Sequence, residues 1–115
     1  MNELLTDEIR RKLPPLYAGE HDTDPLVIVK FFTPWTHWTW CATEFDGEDI
    51  FFGLVDGFER ELGYFSLGEL QAIRGPGGLR IKRDEHFAPK RFSQVKAELG
   101  AFSTGVQLRR KDHGR

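Results

Sequence analysis

The sequence contains very little cysteine. Cys41 is the only cysteine among 115 residues, which excludes an internal disulfide, a thiolate zinc site and a CxxC redox pair. Its sequence neighbours, Trp40 and Ala42, carry no charge that would activate a thiolate. We therefore expect Cys41 to be a small buried apolar residue in a cytoplasmic protein.

Long apolar segments are missing as well. No stretch approaches the roughly 18 apolar residues of a membrane-spanning helix, and Met1 to Glu8 lack the basic and apolar regions of a secretory signal. No membrane partner is expected. Hydrophobic side chains make up 39% of the chain and charged ones 30%, which is typical of a globular domain with one hydrophobic core.

The signatures of several enzyme classes are absent. There is no Gly-x-Ser-x-Gly nucleophile elbow, and the glycine-rich segment 75–78 is not followed by the Lys-Ser/Thr of a phosphate-binding loop. The four histidines have no Glu-x-x-His or His-x-x-x-His pairing. We therefore expect no cofactor and favour a non-enzymatic protein.

Aromatic residues, by contrast, are abundant. Ten Phe, three Trp and two Tyr give 13%, and most of them lie between Phe31 and Phe65. β-branched and aromatic runs separated by Pro34, Asp46-Gly47 and Asp56-Gly57 predict four consecutive strands. Their predicted ranges are 26–33, 37–45, 50–55 and 58–65.

Three helices and one further strand are predicted around this meander. Thr6 is placed to cap a first helix, Ser66 and Glu69 form a capping box for a second helix ending near Arg74, and Ser93 is placed to cap a helix over 94–99. Residues 79–83 form a predicted edge strand. The fold class is α+β, a four- to five-stranded antiparallel meander sheet with two or three short helices packed on it.

Charge is unevenly distributed along the chain. Residues 1–79 contain six basic and fourteen acidic side chains, whereas residues 80–115 contain ten basic and four acidic ones. We expect a single domain over 1–100, followed by a basic and flexible tail over 101–115.

The aromatic residues suggest a first candidate surface. Strict alternation along the second strand places Trp38, Trp40 and Glu44 on one face, and Trp35 follows Pro34 in a turn. Exposed rings at strand spacing suit peptide docking or base stacking. The alternative is that Trp38 and Trp40 pack in the core and only Trp35 is exposed.

The charged residues suggest two more candidate sites. Glu44 and Glu61 are carboxylates on neighbouring parts of the meander that could hold Mg²⁺ or Mn²⁺, although no metal signature is present and solvated charges are the alternative. Basic side chains that could contact phosphate, or simply keep an edge strand soluble, are Arg74, Arg80, Lys82 and Arg83.

An ordered series of motifs resembles a known protein family. The motifs are Phe31-Phe32-Thr33-Pro34, Trp38-Thr39-Trp40, Thr43-Glu44-Phe45-Asp46-Gly47, Phe51-Phe52-Gly53-Leu54-Val55, Glu61-Leu62-Gly63-Tyr64-Phe65-Ser66-Leu67, Arg74-Gly75-Pro76 and Arg83-Asp84. They span about residues 4 to 95 and resemble small uncharacterised bacterial proteins that share a domain of unknown function. The resemblance implies a gene carried on a plasmid, conjugative element or prophage-like island, and it implies no particular activity.

Three functions are consistent with these patterns. The leading expectation is a non-enzymatic accessory or adaptor protein of a mobile genetic element, which binds a protein or nucleoprotein partner through the aromatic sheet. The first alternative is a metal-dependent hydrolase acting on nucleic acid, with Glu44 and Glu61 as ligands. The second is direct nucleic-acid binding by the basic C-terminal third, from Arg80 to Arg115.

Overall fold

The structure is a computed structural model that describes residues 4–100. Its helices and strands are α1 (Asp7–Lys12), β1 (Leu26–Val27), β2 (Val29–Phe32), β3 (Thr39–Phe45), β4 (Ile50–Asp56), β5 (Arg60–Ser66), α2 (Leu67–Ala72), a 3-10 turn (Pro76–Gly78), β6 (Lys82–Arg83), β7 (Lys90–Arg91) and α3 (Phe92–Glu98). The main sheet is antiparallel with strand order β5-β4-β3-β2-β6, and β1 pairs with β7 in a second, two-stranded sheet. The predicted α+β class is confirmed.

The predicted elements differ from the observed ones in several places, and β7 was not predicted at all. The first predicted strand divides at Ile28, because Leu26 and Val27 pair with β7 and the next residues pair with β3. The predicted edge strand is shorter and consists of β6 alone. The last helix begins at Phe92 rather than after Ser93, because Ser93 donates its N–H and its hydroxyl to the Asp24 carboxylate.

The main sheet has apolar side chains on both faces. One face packs against residues of α1 and α2 and forms the first cluster, which includes Phe31, Trp40, Phe51, Phe65 and Leu70. The other face packs against α3 and forms the second cluster, namely Val27, Cys41, Leu54, Phe92 and Val95. The expectation of one core is therefore wrong, because the sheet separates these two groups of side chains.

A β-bulge at Thr43 changes which face of the sheet the following side chains of β3 point to. Ala42 pairs with Gly53, but Glu44 pairs with the adjacent residue Phe52, so Thr43 is an extra residue. A register change of one residue sends every later side chain to the opposite face. Glu44 therefore lies on the face of the second cluster and Phe45 on that of the first. The predicted alternation, which placed Glu44 with Trp40, is wrong beyond Ala42.

Three loops meet at one end of the main sheet, which we call the loop end. They are the β2–β3 loop (33–38), the β4–β5 turn (57–59) and the segment 73–81 that precedes β6. The last reaches this end because β6 runs antiparallel to β2 and Lys82 pairs with Phe32, the final residue of β2. Among residues 4–100, no helix has the length and apolar content that crossing a lipid bilayer requires.

Candidate functional site

The loop end contains an open groove of about 810 Å³. Its aromatic walls come from Phe32 at the end of β2, Trp38 before β3, and Phe58 in the β4–β5 turn. We call it the aromatic groove. Charged or polar side chains along it include Lys30, His37, Asp56, Asp84 and Glu98.

Trp38 is positioned by the turn that precedes it. Thr33 donates its N–H to the Trp38 carbonyl (3.1 Å), and the Trp38 N–H donates to the Thr36 hydroxyl (3.1 Å). The indole lies directly against Gly57, since a Cβ at that glycine would come within 2.4 Å of the ring. Close approach between ring and backbone therefore requires glycine at position 57.

Phe58 is the residue that sequence reasoning missed. Its side chain is 95% exposed, although its ring meets Trp38 edge to face with centroids 5.2 Å apart. Burying a phenylalanine side chain stabilises a fold by about 1.5–3 kcal/mol, and this one contributes little of that. The available signal was its position directly after the Asp56-Gly57 turn, where a side chain projects from the tip of a hairpin.

The three predicted tryptophans have different environments. Trp40 is buried in the first cluster, 5.7 Å from Trp38 between ring centroids. Trp38 is half-buried and lines the groove. Trp35 is also half-buried, with its ring on the backbone of Gly75. The structure therefore places Trp38 and Trp35 at the loop end, where they are partly accessible, and Trp40 in the core.

The groove carries more negative than positive side chains. Asp56 pairs with Arg60 (Nε to Oδ1, 3.4 Å), and Glu98 pairs with Lys90 (Nζ to Oε2, 2.9 Å). Asp84 accepts the backbone N–H of His86. Within residues 4–100, Lys30 forms no ion pair with these carboxylates. The groove therefore combines flat apolar rings with carboxylates at its rim.

Glu44 and Glu61 are not brought together. Glu44 is only 2% exposed, and its two carboxylate oxygens accept the backbone N–H groups of Tyr17 (2.7 Å) and Gly19 (2.9 Å). Glu61 is exposed and pairs with Val55, which places it on the opposite face of the sheet. In the part of the chain that the structure describes, no group of three or more His, Cys, Asp or Glu side chains is arranged to hold a metal ion.

The four basic candidates divide into two groups. Arg74 and Arg80 face each other across an isolated antiparallel bridge, and both donate to the Gln71 carbonyl (2.8 and 3.0 Å). Lys82 and Arg83 are consecutive in β6 and therefore point to opposite faces. Arg74 and Arg80 therefore form one cationic pair, whereas the side chains of Lys82 and Arg83 lie on opposite faces of β6. The predicted basic tail over 101–115, with its basic residues from Arg109 to Arg115, lies outside the described residues.

The thiol of Cys41 is neither accessible nor reactive. It is fully buried in the second cluster, as the sequence predicts. Desolvation by burial raises the pKa of its thiol to about 12, despite the opposing charge of Lys30. A thiol that remains protonated is a poor nucleophile.

The fold and the groove define a small α+β protein with a five-stranded antiparallel sheet and an open groove at one end. The chain belongs to the family described as Protein of unknown function (DUF2958), whose family model matches residues 4–103. The resemblance to a domain of unknown function is thereby confirmed. No curated protein and no solved structure matches the chain.

Proposed function

We propose that this protein is a non-enzymatic accessory or adaptor protein of a mobile genetic element, and that it holds a protein or nucleoprotein partner in the aromatic groove. The observation that carries the proposal is Phe58, an aromatic side chain exposed almost completely at the rim of an open groove. The mobile-element context rests on the family resemblance. No observation favours the hydrolase hypothesis, because Glu44 and Glu61 lie on opposite faces of the sheet.

The chemistry of the groove indicates the kind of partner segment. Phe32, Trp38 and Phe58 offer ring faces and edges that suit an aromatic or aliphatic side chain. The carboxylate of Asp84 suits Lys or Arg, which also pack favourably on aromatic faces, whereas Glu98 already pairs with Lys90. The partner segment is therefore apolar with flanking basic residues.

Site-specific photo-crosslinking in cells that carry the parent element tests this proposal. A benzoyl-phenylalanine placed at Phe58 should crosslink a defined partner, whereas the same group at Leu26 should not. Leu26 is the matched control because it is also an exposed apolar residue, at 40%, but lies in the two-stranded sheet. Equal crosslinking from both positions would contradict the proposal.

The purified partner then permits a quantitative test. Phe58→Ala should weaken binding by at least about 30-fold, equivalent to about 2 kcal/mol, as expected of an aromatic anchor. Because Phe58 is so exposed, its removal should leave the melting temperature unchanged, so the loss would not reflect unfolding. Unchanged affinity in this variant would rule out the groove as the binding site.

A further inference from the structure

A strongly basic segment lies at the loop end, apart from the aromatic groove. Residues 74–83 contain Arg74, Arg80, Lys82 and Arg83 and no acidic residue. Between residues 4 and 100 as a whole there are 12 basic and 16 acidic side chains, a balance of −4. The segment is therefore a local positive region on a negative molecule.

A tight chain reversal brings two of these arginines side by side. The Gly75 N–H donates to the Leu79 carbonyl (2.7 Å), and Arg74 and Arg80 form the bridge beyond it. The reversal depends on Gly77 and Gly78, whose φ angles are 65° and 81°, a region that glycine adopts without steric cost. Two residues six positions apart are thereby fixed as neighbours.

The two guanidinium groups converge on one oxygen atom. Arg74 Nη1 and Arg80 Nη2 both donate to the Gln71 carbonyl, at 2.8 Å and 3.0 Å. Both side chains are exposed, and neither forms an ion pair with a carboxylate within residues 4–100. Arg74 Nη1 also donates to the Ile73 carbonyl, at 3.2 Å. Neutral carbonyls cannot balance two positive charges, and each guanidinium has five N–H donors. Unused donors of both arginines therefore remain available to one anion.

An aromatic ring lies next to this pair. A Cβ at Gly75 would come within 2.4 Å of Trp35 Cδ2 and Cε2, so the indole lies flat against the residue that follows Arg74. Trp35 as a whole is half-buried, so part of this residue is accessible to solvent. Paired arginines bind phosphate oxygens in a bidentate manner, and a flat ring beside them is what an unpaired nucleobase stacks on.

We propose that Arg74 and Arg80 bind the phosphate backbone of a single-stranded nucleic acid, with Trp35 stacking on a neighbouring base. Lys82 is exposed two residues beyond Arg80 and provides a further cation for the same strand. A single strand is favoured over a duplex because stacking on Trp35 requires an unpaired base. This site is separate from the aromatic groove and does not depend on the partner proposed for it.

The test is fluorescence anisotropy of the full chain with a labelled oligothymidylate of about 12 nucleotides, a length within the range of single-strand binding sites. The affinity is measured between about 50 and 200 mM salt. The variant Arg74→Ala/Arg80→Ala should lose most of the binding, and the slope of log affinity against log salt should fall by about 1.4, since each phosphate contact contributes about 0.7 for a single strand. Trp35→Ala should weaken binding about tenfold without changing that slope.

Three controls make the result specific. Arg11→Ala removes another exposed arginine, from α1, and should leave the affinity unchanged. Phe58→Ala should also retain binding, which separates this site from the groove. Arg74→Lys/Arg80→Lys keeps the charge but loses the guanidinium fork, so it should bind with intermediate affinity.

The proposal is overturned if the oligothymidylate does not bind, or if Arg11→Ala weakens binding as much as the Arg74/Arg80 variant does. It is also overturned if the Arg74/Arg80 variant retains full affinity, since the basic residues beyond position 100 would then account for the binding. A duplex bound as tightly as the single strand would exclude the stacking role of Trp35. Inorganic phosphate that saturates the site while the oligothymidylate does not would identify a free oxyanion as the ligand instead.

Discussion

Glu44 is a buried carboxylate, and both of its oxygens accept hydrogen bonds from the loop before β1. It accepts the N–H groups of Tyr17 and Gly19, and Tyr17 has a φ of 72°, a region rarely adopted by non-glycine residues. The carboxylate therefore holds this loop against the sheet. We assign it a structural role.

This role predicts the effect of Glu44→Gln. The amide would direct its NH₂ group at one of the two backbone N–H donors, leaving a buried donor without an acceptor, which costs about 1–3 kcal/mol. Urea unfolding should show that loss in the free energy of unfolding. Glu59→Gln, at an exposed hairpin position, is the matched control and should change stability by less than about 0.5 kcal/mol. Equal stability of the two variants would show that Glu44 does not hold the loop.

The hydrogen bonds between Asp24 and Ser93 predict how the stability of the fold depends on pH. The backbone N–H and hydroxyl of Ser93 lower the pKa of the Asp24 carboxyl below its ordinary value of 3.8, against a smaller effect of desolvation. Because the folded pKa is depressed, the stabilisation is present above the unfolded pKa and is lost as pH falls through the folded value. Stability should begin to fall below about pH 5.

Asp24→Asn separates this contribution from the other carboxylates. The variant should be less stable than the parent at pH 7, and the difference between them should shrink as pH decreases to 2. Thermal melts of both proteins across this pH range provide the measurement. A difference that stays constant with pH would mean that the charge of Asp24 contributes nothing through Ser93.

At the scale of the strand, two paired glycines differ in whether they leave room for a side chain. Gly53 in β4 pairs with Gly63 in β5. A Cβ at Gly53 would lie 1.8 Å from the Cys41 carbonyl oxygen, whereas a Cβ at Gly63 would have nothing within 4 Å. The difference arises because Gly53 sits beside the bulge in β3, where the two backbones approach closely.

Alanine substitutions at these glycines should therefore differ sharply. Gly53→Ala should lower the free energy of unfolding by more than about 3 kcal/mol, since backbone must move to admit the methyl group. Gly63→Ala should be neutral or slightly stabilising, because alanine reduces the entropy of the unfolded chain. Chemical denaturation of both variants is the measurement. Similar stabilities would show that the close approach at Gly53 is absent in solution.

The strands were largely predictable because their signals are local. Runs of β-branched and aromatic residues between Asp-Gly turns locate β3, β4 and β5, and Thr6 and Ser66 cap α1 and α2 as expected. The two-stranded sheet was missed because strands of two residues have no periodicity to detect. The role of Glu44 was missed because one extra residue, Thr43, reverses its facing, and no local signal marks that insertion.

The candidate site was only partly predictable for a related reason. Trp35, Trp38 and Arg74 are recognisable as residue types that bind partners, but their neighbours are set by tertiary contacts. Phe58 joins Trp38 because two hairpins end side by side, and Arg80 joins Arg74 because a glycine-rich reversal intervenes. Such convergence across loops cannot be read from spacing in one sequence.

At the scale of the whole molecule, the two apolar clusters differ in size. The first contains 14 buried residues and the second five. α3 and β7 belong to the smaller side, and β7 pairs over two residues only. Regions with few buried apolar contacts open at lower free energy than the rest of the fold.

Hydrogen exchange should therefore show two levels of protection. Amides of α3 should exchange through a local opening, whereas the paired amides of β3 and β4 in the centre of the sheet should exchange only on global unfolding. Phe92→Ala should accelerate exchange in α3 more than in β3. Uniform protection throughout residues 4–100 would instead indicate a single cooperative unit.

The additional residue at position 43 also constrains how relatives can diverge. Deleting Thr43 would reverse the two faces for every residue after it in β3, turning an acid towards Phe51 and Phe65 and an aromatic side chain towards the loop that now binds Glu44. A relative without this insertion must exchange the acidic and aromatic positions that follow it. A sequence alignment that places a gap at position 43, without exchanging the acidic and aromatic residues after it, assigns those residues to the wrong face of the sheet.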